Sequence, residues 1–227
     1  PAAALVHVPA DTSFDQAAAA KLQGMTAHYL VTDTFRLGAG NKCLVHAGAG
    51  GTGLLLIQMA KHLGAEVFTT VGSAEKVALV EQAGADHVIL YRDEDFVDAI
   101  ERIAGPKAID VVYDGVGKTT FDRSLDCIRP RGMMATFGNA SGPADPVSPL
   151  RLMQCGSLFL TRPNLTHYIA TRDEFERRAG DLYSWIAAGW LKVQVGERLP
   201  LAEAAEAHRL LQGRGTTGKV LLIPPGR

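Results

Sequence analysis

An α/β fold built on a doubly wound, six-stranded parallel sheet is predicted from three features of the 227-residue sequence. Six short apolar or β-branched runs, at 42–46, 66–70, 87–90, 109–113, 133–137 and 158–161, alternate with helical stretches. The helical stretches at 53–63, 74–83 and 96–104 each give way to a glycine (Gly64, Gly84, Gly105), where a left-handed terminal residue belongs. Runs such as Val111-Val112-Tyr113 are apolar on both faces and suit strands covered by helices on two sides. Such strands joined by right-handed helical crossovers give the Rossmann arrangement.

The remaining elements follow from local patterns. Residues 14–35 read as a helix, Ala-rich and apolar at helical spacing, with Asp15 near the start and Gly24 interrupting it. Helices are also predicted at 119–128 and 150–155. After Thr161 the alternation stops; 171–189 and 201–211 read as helices, and 219–223 as a last strand ended by Pro224-Pro225. The loop-rich stretch 138–149 follows the fifth strand on the carboxyl edge, where such sheets bind ligands.

Composition narrows the function classes. Apolar residues are 47% and charged residues 21%, an ordinary globular balance for one large domain or one and a half. Lys plus Arg is 23 against 24 Asp plus Glu, so a net charge of −1 offers no footprint for nucleic acid or an anionic membrane. No apolar run reaches the roughly 18 residues of a membrane span, and no signal-peptide pattern is visible. Three widely spaced cysteines (Cys43, Cys127, Cys155) give neither a disulfide framework nor a Cys-x-x-Cys zinc site, and a cytoplasmic location is expected. The seven histidines show no ligand spacing and read as surface or satisfied core groups, so no metal is expected.

The chemistry lies in the turn after the first strand. Gly48, Gly50 and Gly53 satisfy G-x-G-x-x-G within Ala47-Gly48-Ala49-Gly50-Gly51-Thr52-Gly53, between a predicted strand and a predicted helix. The first glycine permits the tight turn, the second lets a pyrophosphate approach the backbone, and the third lets helix and sheet pack closely. The helix N-terminus then presents free N–H groups to phosphate. The bland alternative is a glycine-rich turn without a ligand. At the end of the second strand no carboxylate stands ready for a ribose 2′-hydroxyl, which also disfavours a methyltransferase. Gly72 leaves room there, Ser73 offers a hydroxyl and Lys76 a cation for a 2′-phosphate, which favours NADP(H); Ser73 as a helix cap and Lys76 as a solvated cation is the alternative. Asp114 reads more readily as a turn former than as a contact, and Asn139 equally as either.

These segments, with Leu22-Gln23-Gly24-Met25-Thr26-Ala27, Arg123-Ser124-Leu125-Asp126-Cys127, Phe137-Gly138-Asn139-Ala140-Ser141-Gly142 and Thr161-Arg162-Pro163, resemble the zinc-independent medium-chain dehydrogenase/reductase family, in its NADPH:quinone oxidoreductase and ζ-crystallin-like branch. The resemblance implies the cofactor-binding portion of an NADPH-dependent quinone oxidoreductase. An enoyl-thioester reductase, or a non-catalytic NADPH-binding module, is the alternative. It implies that Met25 and Thr26 lie near the nicotinamide, and that Gly50, Gly51 and Thr52 touch the pyrophosphate. Gly72, Ser73, Lys76 and Tyr91 would surround the 2′-phosphate. Val116, Phe137, Gly138 and Asn139 would contact the nicotinamide and its ribose, with Arg214 a further contact. No catalytic side chain is named. Family members begin with a GroES-like β-barrel. Residues 1–13 are therefore expected to be a residual segment of that domain, 14–190 the NADP(H)-binding domain, and 191–227 a segment returning towards the missing barrel. A homodimer is expected through the edge run Leu158-Phe159-Leu160-Thr161.

Overall fold

The computed structural model describes residues 5–213 and 215–226. Helix α1 (Phe14–Tyr29) opens on a capping box in which the Ser13 hydroxyl accepts from Gln16 N and the Gln16 side chain returns to Ser13 N. The alternation follows as β1 (Lys42–Val45), α2 (Gly51–His62), β2 (Glu66–Val71), α3 (Val77–Gln82), β3 (His87–Leu90) and α4 (Phe96–Ala104). It continues with β4 (Ile109–Asp114), α5 (Phe121–Cys127), β5 (Ile128–Thr136), α6 (Pro149–Gln154) and β6 (Phe159–Thr161). The chain closes with α7 (Leu165–Tyr168), α8 (Arg172–Ala187), β7 (Val195–Pro200), α9 (Ala204–Gln212) and β8 (Lys219–Ile223).

The six-stranded sheet has the order β3-β2-β1-β4-β5-β6, parallel throughout. The predicted doubly wound topology is therefore observed. Alternation persists inside strands that are apolar on every residue. Cys43 and Val45 of β1 face one core with α1, α2 and α8, while Leu44 faces the other with α4 and α5. Strand order reverses at β1, which pairs with β2 on one side and β4 on the other. The loops after β1 and β4 therefore diverge to opposite faces and leave a crevice between them.

Five elements depart from the sequence pattern. The helix predicted over 14–35 is regular only to Tyr29 and widens into a π turn at Leu30–Thr34, where Thr32 Oγ1 donates back to His28 O at 2.8 Å. β5 begins at Ile128 rather than 133, with a register shift opposite Ile109 and Val111; Pro130 and Gly132 disguise its first half. β7 and the short α7 carry no strong pattern, and β7 is mostly exposed and pairs only with β8. Finally, α5 starts at Phe121, because residues before it turn around Asp114.

α1 and α8 are joined by a cluster around two buried groups, Arg178 and His28, with the partly exposed carboxylates of Asp33 and Asp181 at its rim. Arg178 is 2% exposed; its Nε donates to Tyr168 O (2.7 Å), its Nη1 to His28 Nδ1 (2.9 Å), and its Nη2 pairs with Asp33 at 2.5 Å. Because Nδ1 of His28 accepts, Nε2 carries the proton and donates to Asp181 (3.0 Å), and burial holds the ring's pKa below its ordinary value. Removing the buried Arg178 guanidinium takes the donor from Tyr168 O and from the buried His28 Nδ1 and the countercharge from Asp33. An Arg178→Met variant should lose about 3 kcal/mol of unfolding free energy in urea. A loss below about 1 kcal/mol would show that the cluster contributes little.

Candidate functional site

The turn between β1 and α2 is built by crowding. A Cβ on Gly48 would lie 2.0 Å from Thr69 Oγ1, and one on Gly53 would lie 2.5 Å from Ala47 O and 2.6 Å from Gly48 O. No side chain fits at either position, and the Gly53 obstruction is backbone, which cannot swing away. Ala47 takes φ 55°, a left-handed conformation a non-glycine residue rarely adopts. Gly48 N donates to Thr70 O (3.0 Å) and Gly50 N to Ala47 O (3.0 Å), so the turn is held to β2 and to itself.

Gly50 is the N-cap of α2 and supplies no capping side chain. Side chains cap α1, α4, α6, α7 and α8, through Ser13, Asp95, Ser148, Asn164 and Thr171. The first amides of α2 are thus left to an outside acceptor, at the positive end of a 12-residue helix. Gln23 of α1 lies against this turn, its Oε1 only 2.2 Å from where a Gly51 Cβ would stand, and that buried oxygen has no hydrogen-bond partner among the described residues.

The second strand ends against the start of the loop that follows the third. The site of a Gly72 Cβ is 2.8 Å from Tyr91 Oη, so the half-exposed phenol occupies the space that the glycine leaves. Ser73 precedes the turn Ala74–Lys76 without capping it through its hydroxyl, which removes the capping alternative. Lys76 closes that turn, its N–H bonded to Ser73 O at 3.1 Å. Gly72, Ser73, Lys76 and Tyr91 are therefore brought together on the carboxyl edge.

The β4 and β5 loops are zipped to one another. Asp114 is fully buried and accepts from Val116 N (2.7 Å), Gly117 N (3.1 Å) and Thr120 Oγ1 (2.9 Å), the turn-forming role expected of it. Phe137 N and Gly138 N both donate to Asp114 O, and Ser141 N and Oγ to Val116 O. Val116 and Phe137 are half-buried while Asn139 is exposed, all on one rim of the crevice. Met25 is buried in the core, and Thr26 beside it returns its hydroxyl to Leu22 O (2.8 Å). Arg214 lies outside the described residues, but its neighbour Gly218 donates to Ala49 O (3.0 Å), so the segment before β8 abuts the glycine turn.

Sequence reasoning did not find Gln23, Gly218 or the polar partners of His46. His46 ends the first predicted strand and is 2% exposed, with Nδ1 3.1 Å from Thr70 Oγ1 and Nε2 2.9 Å from Ser124 Oγ. It is a satisfied core histidine, as read from the sequence. Among the described residues no cluster of three or more His, Cys, Asp or Glu has metal-binding geometry, and no helix is long and apolar enough to cross a membrane.

Comparison with known proteins places these features in context. The zinc-binding dehydrogenase family matches residues 51–185. Quinone oxidoreductase 1 of Escherichia coli strain K12 is 47% identical over 219 residues, which are 96% of this chain and 67% of that protein. The 2-haloacrylate reductase of a Burkholderia species is 44% identical over 227 residues, 99% of this chain and 68% of that one. The solved structure of Escherichia coli quinone oxidoreductase complexed with NADPH is 46% identical, with a TM-score of 0.95 over 98% of this chain and 69% of that chain. The chain thus spans about two thirds of the length of these relatives.

Burial lowers the His46 pKa from the ordinary 6.5 to about 4, against the smaller opposing pull of Asp114. The unfolded chain takes up this proton near 6.5 and the folded chain only near 4, so the unfolded state binds more protons in between. Stability is complete above pH 6.5 and falls as pH drops towards 4, at up to about 1.4 kcal/mol per pH unit from this group. Urea titrations across that window should show the decline, with a shallower slope in His46→Asn. An equal slope in both proteins would exclude His46 as its source.

Proposed function

The chain belongs to the zinc-binding dehydrogenase family, among its quinone oxidoreductases, and on that premise we propose that it is the NADPH-binding portion of an NADPH-dependent quinone oxidoreductase. The observation that carries this reading is the α2 N-terminus without a side-chain cap, set in a turn whose Gly48 and Gly53 have no room for side chains of their own. The residues present fit the cofactor. Gly51 and Thr52 offer backbone N–H groups to a pyrophosphate, Gly50 puts no side chain in its way, and the Tyr91 hydroxyl stands beside Gly72 as a donor for an added phosphate. In this reading Gly48 and Gly53 shape the turn, while Ser73, Lys76 and Tyr91 hold the 2′-phosphate, Lys76 as its cation. Met25 and Thr26 lie near the nicotinamide, Val116, Phe137, Gly138 and Asn139 contact it and its ribose, and Arg214 is a further contact. NADPH, when bound, supplies the hydride that a quinone accepts. The chain's own contribution is to orient the cofactor and screen its face from water, and no side chain is assigned as an acid or base.

The working unit in this reading is 14–190, flanked by segments 1–13 and 191–227 that serve a catalytic barrel of the family's kind. It needs no metal and acts in the cytoplasm. A second reading, reduction of an activated carbon–carbon double bond, is supported by the 44% identity to a 2-haloacrylate reductase. It would use the same cofactor site.

Calorimetric titration should detect NADPH binding at least about tenfold tighter than NADH. Lys76→Ala should weaken NADPH about tenfold, the 1.4 kcal/mol of one charge-assisted bond, and leave NADH nearly unchanged. A preference for NADH, or no heat from either nucleotide, would overturn the assignment. NADPH oxidation followed with a small quinone and with a 2-haloacrylate, beside a full-length relative, separates the two chemistries.

We further propose a homodimer formed through β6. Its outer edge carries no paired strand among the described residues, Phe159 on it is 59% exposed, and Leu150 (63%) and Met153 (56%) of α6 are exposed nearby. Light scattering should report twice the 24.2 kDa chain mass, and the single mass for Phe159→Asp. A wild-type chain at the single mass would exclude this dimer.

A further inference from the structure

We propose that His46 is a positioning residue, tying the glycine turn to the β4 loop through a directed chain of hydrogen bonds and so setting dinucleotide affinity without touching the dinucleotide. The proposal rests on the reading of the turn as a dinucleotide site.

The direction of the chain follows from proton counting. Ser124 Oγ lies 2.7 Å from Thr120 O, a carbonyl that can only accept, so the single hydroxyl proton of Ser124 is committed there. Its oxygen must then accept from His46 Nε2 at 2.9 Å, which puts the ring proton on Nε2. Nδ1 is left as a lone pair facing Thr70 Oγ1 at 3.1 Å, so Thr70 donates. The Thr70 oxygen is then free to accept from Ala47 N at 3.3 Å. Each group has one workable role, and reversing any bond would set two donors or two acceptors face to face.

The two ends of the chain are the two loops that matter. At one end Thr70 holds consecutive turn amides, Ala47 N through its side chain and Gly48 N through its carbonyl. Ala47 is the residue in the left-handed conformation, which persists only where its surroundings over-determine it. At the other end Thr120 donates to Asp114, whose carboxylate holds Val116 N and Gly117 N. The imidazole spans the gap between them, neutral, enclosed, and edge-on to Phe96 with ring centroids 4.9 Å apart. A leucine would fill this volume but make neither bond. Thr70 would then turn its proton elsewhere, and the turn and the β4 loop would lose their common anchor.

Two measurements test this, one independent of the cofactor. In amide hydrogen exchange, Thr70→Val and His46→Leu should speed exchange at Ala47, Gly48 and Gly117 about tenfold, with Val112 in mid-β4 unchanged as a control for global opening. Thr70→Ser should restore the wild-type rates. The imidazole nitrogen shifts of His46 should report the Nε2–H tautomer. In calorimetry, Thr70→Val and Ser124→Ala should each weaken NADPH several-fold, and about threefold non-additively while His46 is present; in His46→Leu the two effects should become independent. An Nδ1–H tautomer, or exchange at Ala47 and Gly48 unmoved by Thr70→Val, would overturn the proposal. So would NADPH affinities within twofold of wild type in variants with normal thermal transitions. Should wild type bind no NADPH while the exchange and tautomer results hold, the relay stands as a structural link, the dinucleotide reading fails, and the claim on affinity falls with it.

Discussion

The first turn of α2 is the constraint on which the rest of the structure depends. β1 is buried on both faces, and its chain must reverse into a helix within a few residues. The reversal brings Gly53 against the carbonyls of Ala47 and Gly48 and brings Gly48 against Thr69. The N-cap between them, Gly50, has no side chain to cap with, so the helix keeps its leading N–H groups unpaired by side chains. An unsatisfied helix terminus is a cost to folding that a phosphate can offset.

Strand order then decides what surrounds the turn. With β2 and β4 flanking β1, the loop after β2 brings Gly72 and Ser73 to one side and the loop after β4 brings Val116 to the other. The Asp114 carboxylate organises the second of these, and its main-chain carbonyl holds the loop after β5 as well. Apart from the Gln23 oxygen, the buried polar groups named above are paired: Asp114 with amides, His46 with two hydroxyls, and Arg178 with a carboxylate, a ring nitrogen and a carbonyl. Such groups are costly when left unpaired, so each also fixes the relative placement of the elements that supply its partners.

Much of this was legible from residue patterns, for reasons that are local. Glycines at 64, 84 and 105 do take positive φ, as helix endings there require. The turn at 48–53 was legible because glycine spacing records a backbone that cannot carry side chains. The early start of β5 was hidden by Pro130 and Gly132, residues that weaken a strand signal, and β7 by a largely exposed surface that gives no apolar alternation. The end of α1 was hidden because a π turn keeps the apolar spacing of a helix while changing its bonding.

The sequence by itself determined the succession of strands and helices and the sharp turn between β1 and α2, since both follow from steric preferences among near neighbours. Which distant side chains meet was decided only by tertiary structure. Thr70 and Ser124 reach opposite nitrogens of His46 from β2 and α5, Gln23 reaches Gly51 from another helix, and Gly218 reaches Ala49 from the far end of the chain. Those meetings depend on parallel-strand register and helix packing, and neither is written in the spacing of any one segment.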